Sequence, residues 1–234
     1  MTSSFLAKRS KQKEKWLRTT KPPECSVILD KIRPEVQGTR KNRFNKAEVY
    51  KQASEIAKSI CISGSYCGLA AAYSYEIRSA FKTTINGLFV NCENNKKLAN
   101  QLKDYTSILS WLYNMDFSIY QGNIFDCLAS TKHKFSIVDL DLMSCLATPN
   151  YTAQQKIEPI VKSLENAVSN RFLLILWSCY GMKALTEERY DQEVRPTLIK
   201  TIREKYKILR YKNYKYCDNH IPIKAEIFAL KHRR

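Results

Sequence analysis

The 234 residues predict an α/β sandwich, a mainly parallel sheet with helices on both faces and an antiparallel hairpin at its end. Three observations lead there. Short apolar runs alternate five times with stretches of helical periodicity, the pattern of strand–helix–strand crossovers. The last two runs are separated only by "DNH", which reads as a hairpin. Polar and glycine residues also collect behind successive runs, where open parallel sheets hold their ligands.

Taken in order, residues 1–44 have little apolar periodicity, contain "KPPE" and "IRPEVQGTRKNR", and are expected to form a partly extended basic arm; residues 45–234 form the domain. "NKAEVYKQASEIAKSI" spaces Val49, Ala53, Ile56, Ala57 and Ile60 as one helix face, with Asn45 as its cap. "ICISGSYCG" reads as a short strand entering a turn bracketed by Gly64 and Gly68, and "LAAAYSYEIRSAF" as the helix after it. "GLFVNCENN" is a strand with polar residues at its end, and "KKLANQLKDYTSILSWLYN" a long helix. "DFSIYQGNIFD" and "FSIVDLD" both read as strands. "TAQQKIEPIVKSLENAV" is a helix with Ile157, Ile160, Val161, Leu164 and Val168 in register, and "RFLLILWSCYG" is the most apolar strand. "TEERYDQEVRPTLIKTIREKY" is helical with a break expected before Pro196, because proline lacks the donor that the helix needs. "KILRYKNYKYC" and "IPIKAEIFALK" complete seven strands.

Charge is the informative total. The formal net charge is +17 and unevenly spread: residues 1–47 hold thirteen Lys or Arg against four acids, and residues 200–234 eleven against three. Basic ends around a balanced centre suit a polyanion, RNA or DNA, with Lys8, Arg9, Lys11, Arg40, Lys41, Arg43, Lys212 and Lys215 as the expected phosphate contacts. The tyrosines interleaved with lysines between Lys205 and Tyr216 read equally as a base-stacking surface or as one alternating strand. No apolar run is long enough to span a bilayer, no signal-peptide core is evident, and a cytoplasmic protein without membrane contact is expected. The eight cysteines show no zinc-ligand spacing and read as reduced core residues, so no metal is expected; His133, His220 and His232 show no partner spacing.

The order of elements and the strand ends resemble the class I S-adenosylmethionine-dependent methyltransferases. That resemblance implies a Rossmann-like three-layer sandwich whose mainly parallel seven-stranded sheet ends in an antiparallel hairpin. It implies S-adenosyl-L-methionine as cofactor, held by Gly64 and Gly68 after the first strand, Glu93 on the ribose, and Asn123 and Asp126 at the adenine edge. The family's first motif usually carries an acid two residues before the first glycine and a third glycine inside the turn; counted from Gly64, those places hold Ile62 and Tyr66. "VDLDLMS" is similar to the fourth-strand segment of tRNA guanine-N2 methyltransferases, with Leu142 and Met143 in place of a proline and an aromatic residue. It offers Asp139 and Asp141 as the catalytic pair, Asp141 lying nearer the opening. Comparison with ribose 2′-O methyltransferases offers a Lys-Asp-Lys-Glu tetrad from Lys46, Asp139 or Asp141, Lys183 and Glu226. The function implied is methyl transfer to nucleic acid, RNA ahead of DNA. The alternative is a catalytically inactive methyltransferase-like subunit that binds nucleic acid; whether a partner subunit joins the chain is left open.

Overall fold

The computed structural model describes residues 40–69, 77, 80–97, 99–100, 102, 110, 116–142, 144–180, 185–218 and 221–233. The helices expected over 69–81 and 96–114 lie mostly outside these residues, as does the arm up to residue 39. The first described element is helix α1, Arg40–Ser59, which begins ahead of the expected cap at Asn45. It presents Lys46, Val49, Tyr50, Ala53 and Ala57 on one buried face, the i, i+3, i+4, i+7 stripe of a helix laid on a sheet.

Seven strands follow: β1 Gly64–Gly68, β2 Ile85–Glu93, β3 Phe117–Gln121, β4 Phe135–Asp141, β5 Val168–Cys179, β6 Tyr206–Asp218 and β7 Ile221–His232. They form one sheet in the order β3-β2-β1-β4-β5-β7-β6. Strands β1 to β5 pair in parallel and β7 runs antiparallel between β5 and β6. The expected sandwich with its terminal hairpin is therefore the observed fold. Central strands are apolar almost throughout because both faces are covered: β4 is buried from Phe135 to Leu140, and β5 from Phe172 to Cys179.

Four local readings change. The expected first strand was the apolar "ICIS", but the strand is "GSYCG" itself. The segment after β3 is not strand but helix α2, Ile124–Ser130, started by Asn123, whose side chain accepts the Phe125 N–H at 2.9 Å. Helix α3, Ala153–Leu164, starts in a capping box between Thr152 and Gln155 and ends before Val168, which opens β5 instead. The expected break at Pro196 is also absent. A helical turn, Glu187–Arg189, runs through a π turn, Tyr190–Val194, into helix α4, Arg195–Lys205. The π turn shifts the hydrogen-bond register, with Arg195 N–H reaching Tyr190 O, and the helix passes Pro196 in the first turn of α4 without ending.

Candidate functional site

Parallel register brings the ends of four strands to one edge. Gly68, last in β1, pairs with Asn91 on one side and Asp139 on the other, and Glu93 pairs with Gln121. Gly64 is at the opposite edge. It opens β1 opposite Ile85, the first residue of β2, at φ +143°, where a Cβ would overlap the Ser136 hydroxyl. Its placement in a turn after the first strand is thus corrected, since the strand occupies the residues read as the turn. Gly68 alone stands at the strand end. A Cβ there would overlap the Tyr66 hydroxyl and lie 2.8 Å from its ring carbon and 2.9 Å from the Asp139 Cβ.

Asp139 and Asp141 point to the same face of β4, toward α1, yet their surroundings differ. Asp139 is 1 % exposed. Its Oδ2 accepts Tyr50 O–H at 3.0 Å and Tyr66 O–H at 2.9 Å, while Oδ1 accepts Trp177 Nε1–H at 2.6 Å. Burial pushes its carboxyl up to about 6, although the Trp177 and tyrosine hydrogen bonds pull the other way. Asp141 ends the strand at the edge of the sheet. Its carboxylate meets Lys46 Nζ at 2.6 Å, with the Asp141 side chain 17 % exposed and the lysine 5 %. Lys46 also lies 5.4 Å from the Trp177 ring centroid, so one indole bridges the two acids through its N–H and its face. Tyr66 stacks on Phe89 at 4.3 Å and is wholly buried, which fixes it beneath Gly68.

Farther along the edge, Glu93 is half-buried and its carboxylate accepts the Asn95 N–H at 3.0 Å, while its carbonyl accepts the Gly122 N–H at 3.1 Å. Gly122 sits at φ +151°, a conformation that favours glycine and lets the chain turn from β3 into α2. Asn123 and Asp126 are both exposed in the first turn of α2. A cleft of about 480 Å³ opens beside them, lined by Phe125, Leu142, Tyr151, Lys156 and Pro159 among others. Lys156 Nζ lies 4.2 Å from the Tyr151 ring centroid there. Helix α2 was missed because "NIFDCLAS" is short, but its signal was present: an Asn cap before Ile124, Cys127 and Leu128 at helical spacing.

The remaining candidates disperse. Glu226 pairs with Leu176, one residue out of phase with the Asp141–Trp177 pair, so it faces the other side of the sheet. There it accepts from Arg195 Nε at 3.3 Å and from Tyr211 O–H at 2.5 Å. Lys46 and Asp141 meet, but the sheet separates Glu226 from them, and Lys183 lies outside the described residues. The complete tetrad is therefore corrected to a Lys46–Asp141 pair. Lys212 donates to Gln52 of α1 at 2.9 Å and Lys215 to Glu187 at 2.5 Å, two exposed lysines on opposite faces of β6. The tyrosines of β6 are packed: Tyr206 is buried against Phe172, Tyr211 stacks on Phe228, and Tyr216 meets Trp177 edge-on. Tyr211 and Tyr216 face opposite sides of the sheet, and Lys212 shares Gln52 with Tyr214, so tyrosines and lysines do not segregate by face as the alternating-strand reading expected. Arg40, Lys41 and Arg43 belong to α1, while Lys8, Arg9 and Lys11 lie outside the described residues.

No protein-family model matches the sequence, and no curated protein matches it. Solved structures do match in shape. Among them are M. jannaschii TYW2 in complex with AdoMet, at TM-score 0.53 and 11% identity over 86% of this chain and 80% of that one. A rRNA methylase from Streptococcus thermophilus matches at 0.53 and 5% over 79% and 96%. N-methyltransferase NodS from Bradyrhizobium japonicum WM9 matches at 0.52 and 10% over 80% and 97%. The fold is that of class I S-adenosylmethionine-dependent methyltransferases. At these identities the likeness defines the fold and leaves the chemistry to the residues.

Proposed function

We propose that the chain binds S-adenosyl-L-methionine along the edge formed by the ends of β1 to β4 and transfers its methyl group to nucleic acid, RNA ahead of DNA. The observation that carries this reading is the alignment of Gly68, Glu93, Asn123 and Asp141 at consecutive ends of adjacent parallel strands. The residues fit the cofactor at most stations. Glu93 offers a half-exposed carboxylate, able to accept from two vicinal hydroxyls, and Asn123 and Asp126 offer exposed polar groups for a purine edge. At Gly68 the glycine is demanded by the chain's own packing, because a Cβ would overlap the Tyr66 hydroxyl and crowd Asp139.

When bound, the cofactor supplies an electrophilic methyl group on a sulfonium. The chain's own task is positioning, holding the target nitrogen or oxygen in line with that methyl. Asp141 is the group we assign to the target. It ends its strand at the edge, and Lys46 fixes its orientation while leaving part of the carboxylate exposed. Asp139 has a different task, because its three donors leave it aimed into the core. We read it as a positioning residue that locks α1, β1, β4 and β5 around the edge. The basic arm and β6 supply backbone contacts to the substrate, and the likeness to a rRNA methylase lends weight to RNA.

One observation favours the non-catalytic alternative, a nucleic-acid-binding subunit. With Gly68 as the strand-end glycine, the family's acid position falls on Tyr66, whose phenol cannot replace a carboxylate at neutral pH because burial raises its pKa well above the usual value. Labelled-donor methyl transfer on total RNA and on genomic DNA separates the readings. The enzyme incorporates label into RNA and loses it in Asp141→Ala. Absence of label with either polymer, alongside salt-sensitive polymer binding, supports the subunit.

A further inference from the structure

Three cysteines read as scattered core residues meet in space. Cys67 on β1, Cys92 on β2 and Cys127 on α2 place their sulfurs within 4.8 Å of one another, and Cys67 and Cys92 stand 4.0 Å apart. All three are buried and none is in a disulfide. They lie on the sheet face opposite Asp139, since Cys67 alternates with Tyr66 and Gly68 along β1. Each adjoins a residue of the candidate edge in sequence, Gly68, Glu93 and Asp126 respectively.

From this geometry we propose that Cys67, Cys92 and Cys127 form a site for one soft divalent cation of the zinc class. With metal–sulfur bonds of about 2.3 Å, three sulfurs around a tetrahedral ion stand roughly 3.8 Å apart, so the triad needs only a small contraction to close on it. A disulfide between Cys67 and Cys92 would instead require the sulfurs to approach to about 2.05 Å. Charge points to a divalent ion. Three thiolates around M²⁺ leave one net negative charge in the core, whereas a monovalent ion leaves two, at a higher desolvation cost. Loading releases the thiol protons as the metal–sulfur bonds form. The fourth tetrahedral position is left to a solvent molecule. A cation here would tie β1, β2 and α2 together directly behind the candidate edge.

The inference does not depend on methyl transfer. Its test is titration of the reduced, metal-free full chain with Cd²⁺, following thiolate-to-metal charge-transfer absorbance, with Zn²⁺ in competition. We expect one Cd²⁺ per chain, displaced by Zn²⁺, and an affinity at least 100-fold lower in Cys127→Ser. A variant with Ser at Cys25, Cys61 and Cys217 retains the band, so adventitious binding by those thiols is separated. Circular dichroism shows that Cys127→Ser is folded; should it not be, Cys92→Ser supplies the same comparison. Absence of a stoichiometric band in the native chain overturns the site, as does a band of unchanged affinity in the folded triad variant.

Discussion

Asp139 shows how one carboxylate can be useful in a core. Unpaired, it would be expelled or neutralised, but two phenols and an indole N–H supply three donors, and its pKa settles near 6 rather than far higher. Because that value lies above the unfolded carboxyl's, the folded chain holds the proton more tightly. This group's contribution to stability is full below about pH 4, falls as pH rises toward 6 and is flat above, a change of about 3 kcal/mol. Urea unfolding of the native chain and Asp139→Asn from pH 4 to 7 reads it as a difference: native stability falls relative to the variant by that amount. An unchanged difference would mean the carboxyl is not buried as described. Asp139→Ala strands three donors at once and costs about 3 kcal/mol or more at neutral pH, measured the same way. Gly68→Ala is predicted to cost about 2 kcal/mol or more through overlap with Tyr66, and Tyr66→Leu to recover part of it in a double-mutant cycle.

At the scale of elements, the polar interior of the other face is as organised as the candidate site. Lys224, buried on β7, pairs with Asp191 and Glu187 and lies 5.0 Å from the Tyr180 ring centroid and 4.9 Å from that of Tyr190. Glu226 beside it is held by Arg195 and Tyr211. The π turn and α4 are thereby fastened to the hairpin. Glu226→Ala leaves Arg195 with Asp191 as its remaining carboxylate partner, 3.0 Å away, and should cost roughly 3 kcal/mol in thermal or urea melts while leaving methyl transfer, scaled to folded protein, intact. The long apolar elements were legible in the sequence for a physical reason. "FSIVDLD" and "RFLLILW" are buried on both faces, so their composition alone identifies them. Strand β1 was not legible. "GSYCG" has weak strand propensity and is extended because β2 and β4 pair with it on either side. The aspartate pair could be read from spacing, whereas Tyr50, Tyr66 and Trp177 reach Asp139 from 38 to 89 residues away, and the three thiols meet from three different elements.

The whole molecule joins a charge-balanced central stretch to a surplus of positive charge in residues 1–47 and 200–234. Among the described residues no helix is long and apolar enough to cross a membrane. Removing residues 1–39, ahead of α1, is expected to weaken RNA binding and flatten its salt dependence while the melting transition stays in place. Equal affinity at moderate salt would take the arm out of the account. Calorimetric titration of the full chain with S-adenosylmethionine and S-adenosylhomocysteine tests whether the edge of the sheet holds the cofactor. Saturable binding of one molecule per chain is expected, at least tenfold weaker in Glu93→Ala, a change of about 1.4 kcal/mol. No heat of binding from either compound, in a chain that melts cooperatively, would contradict it.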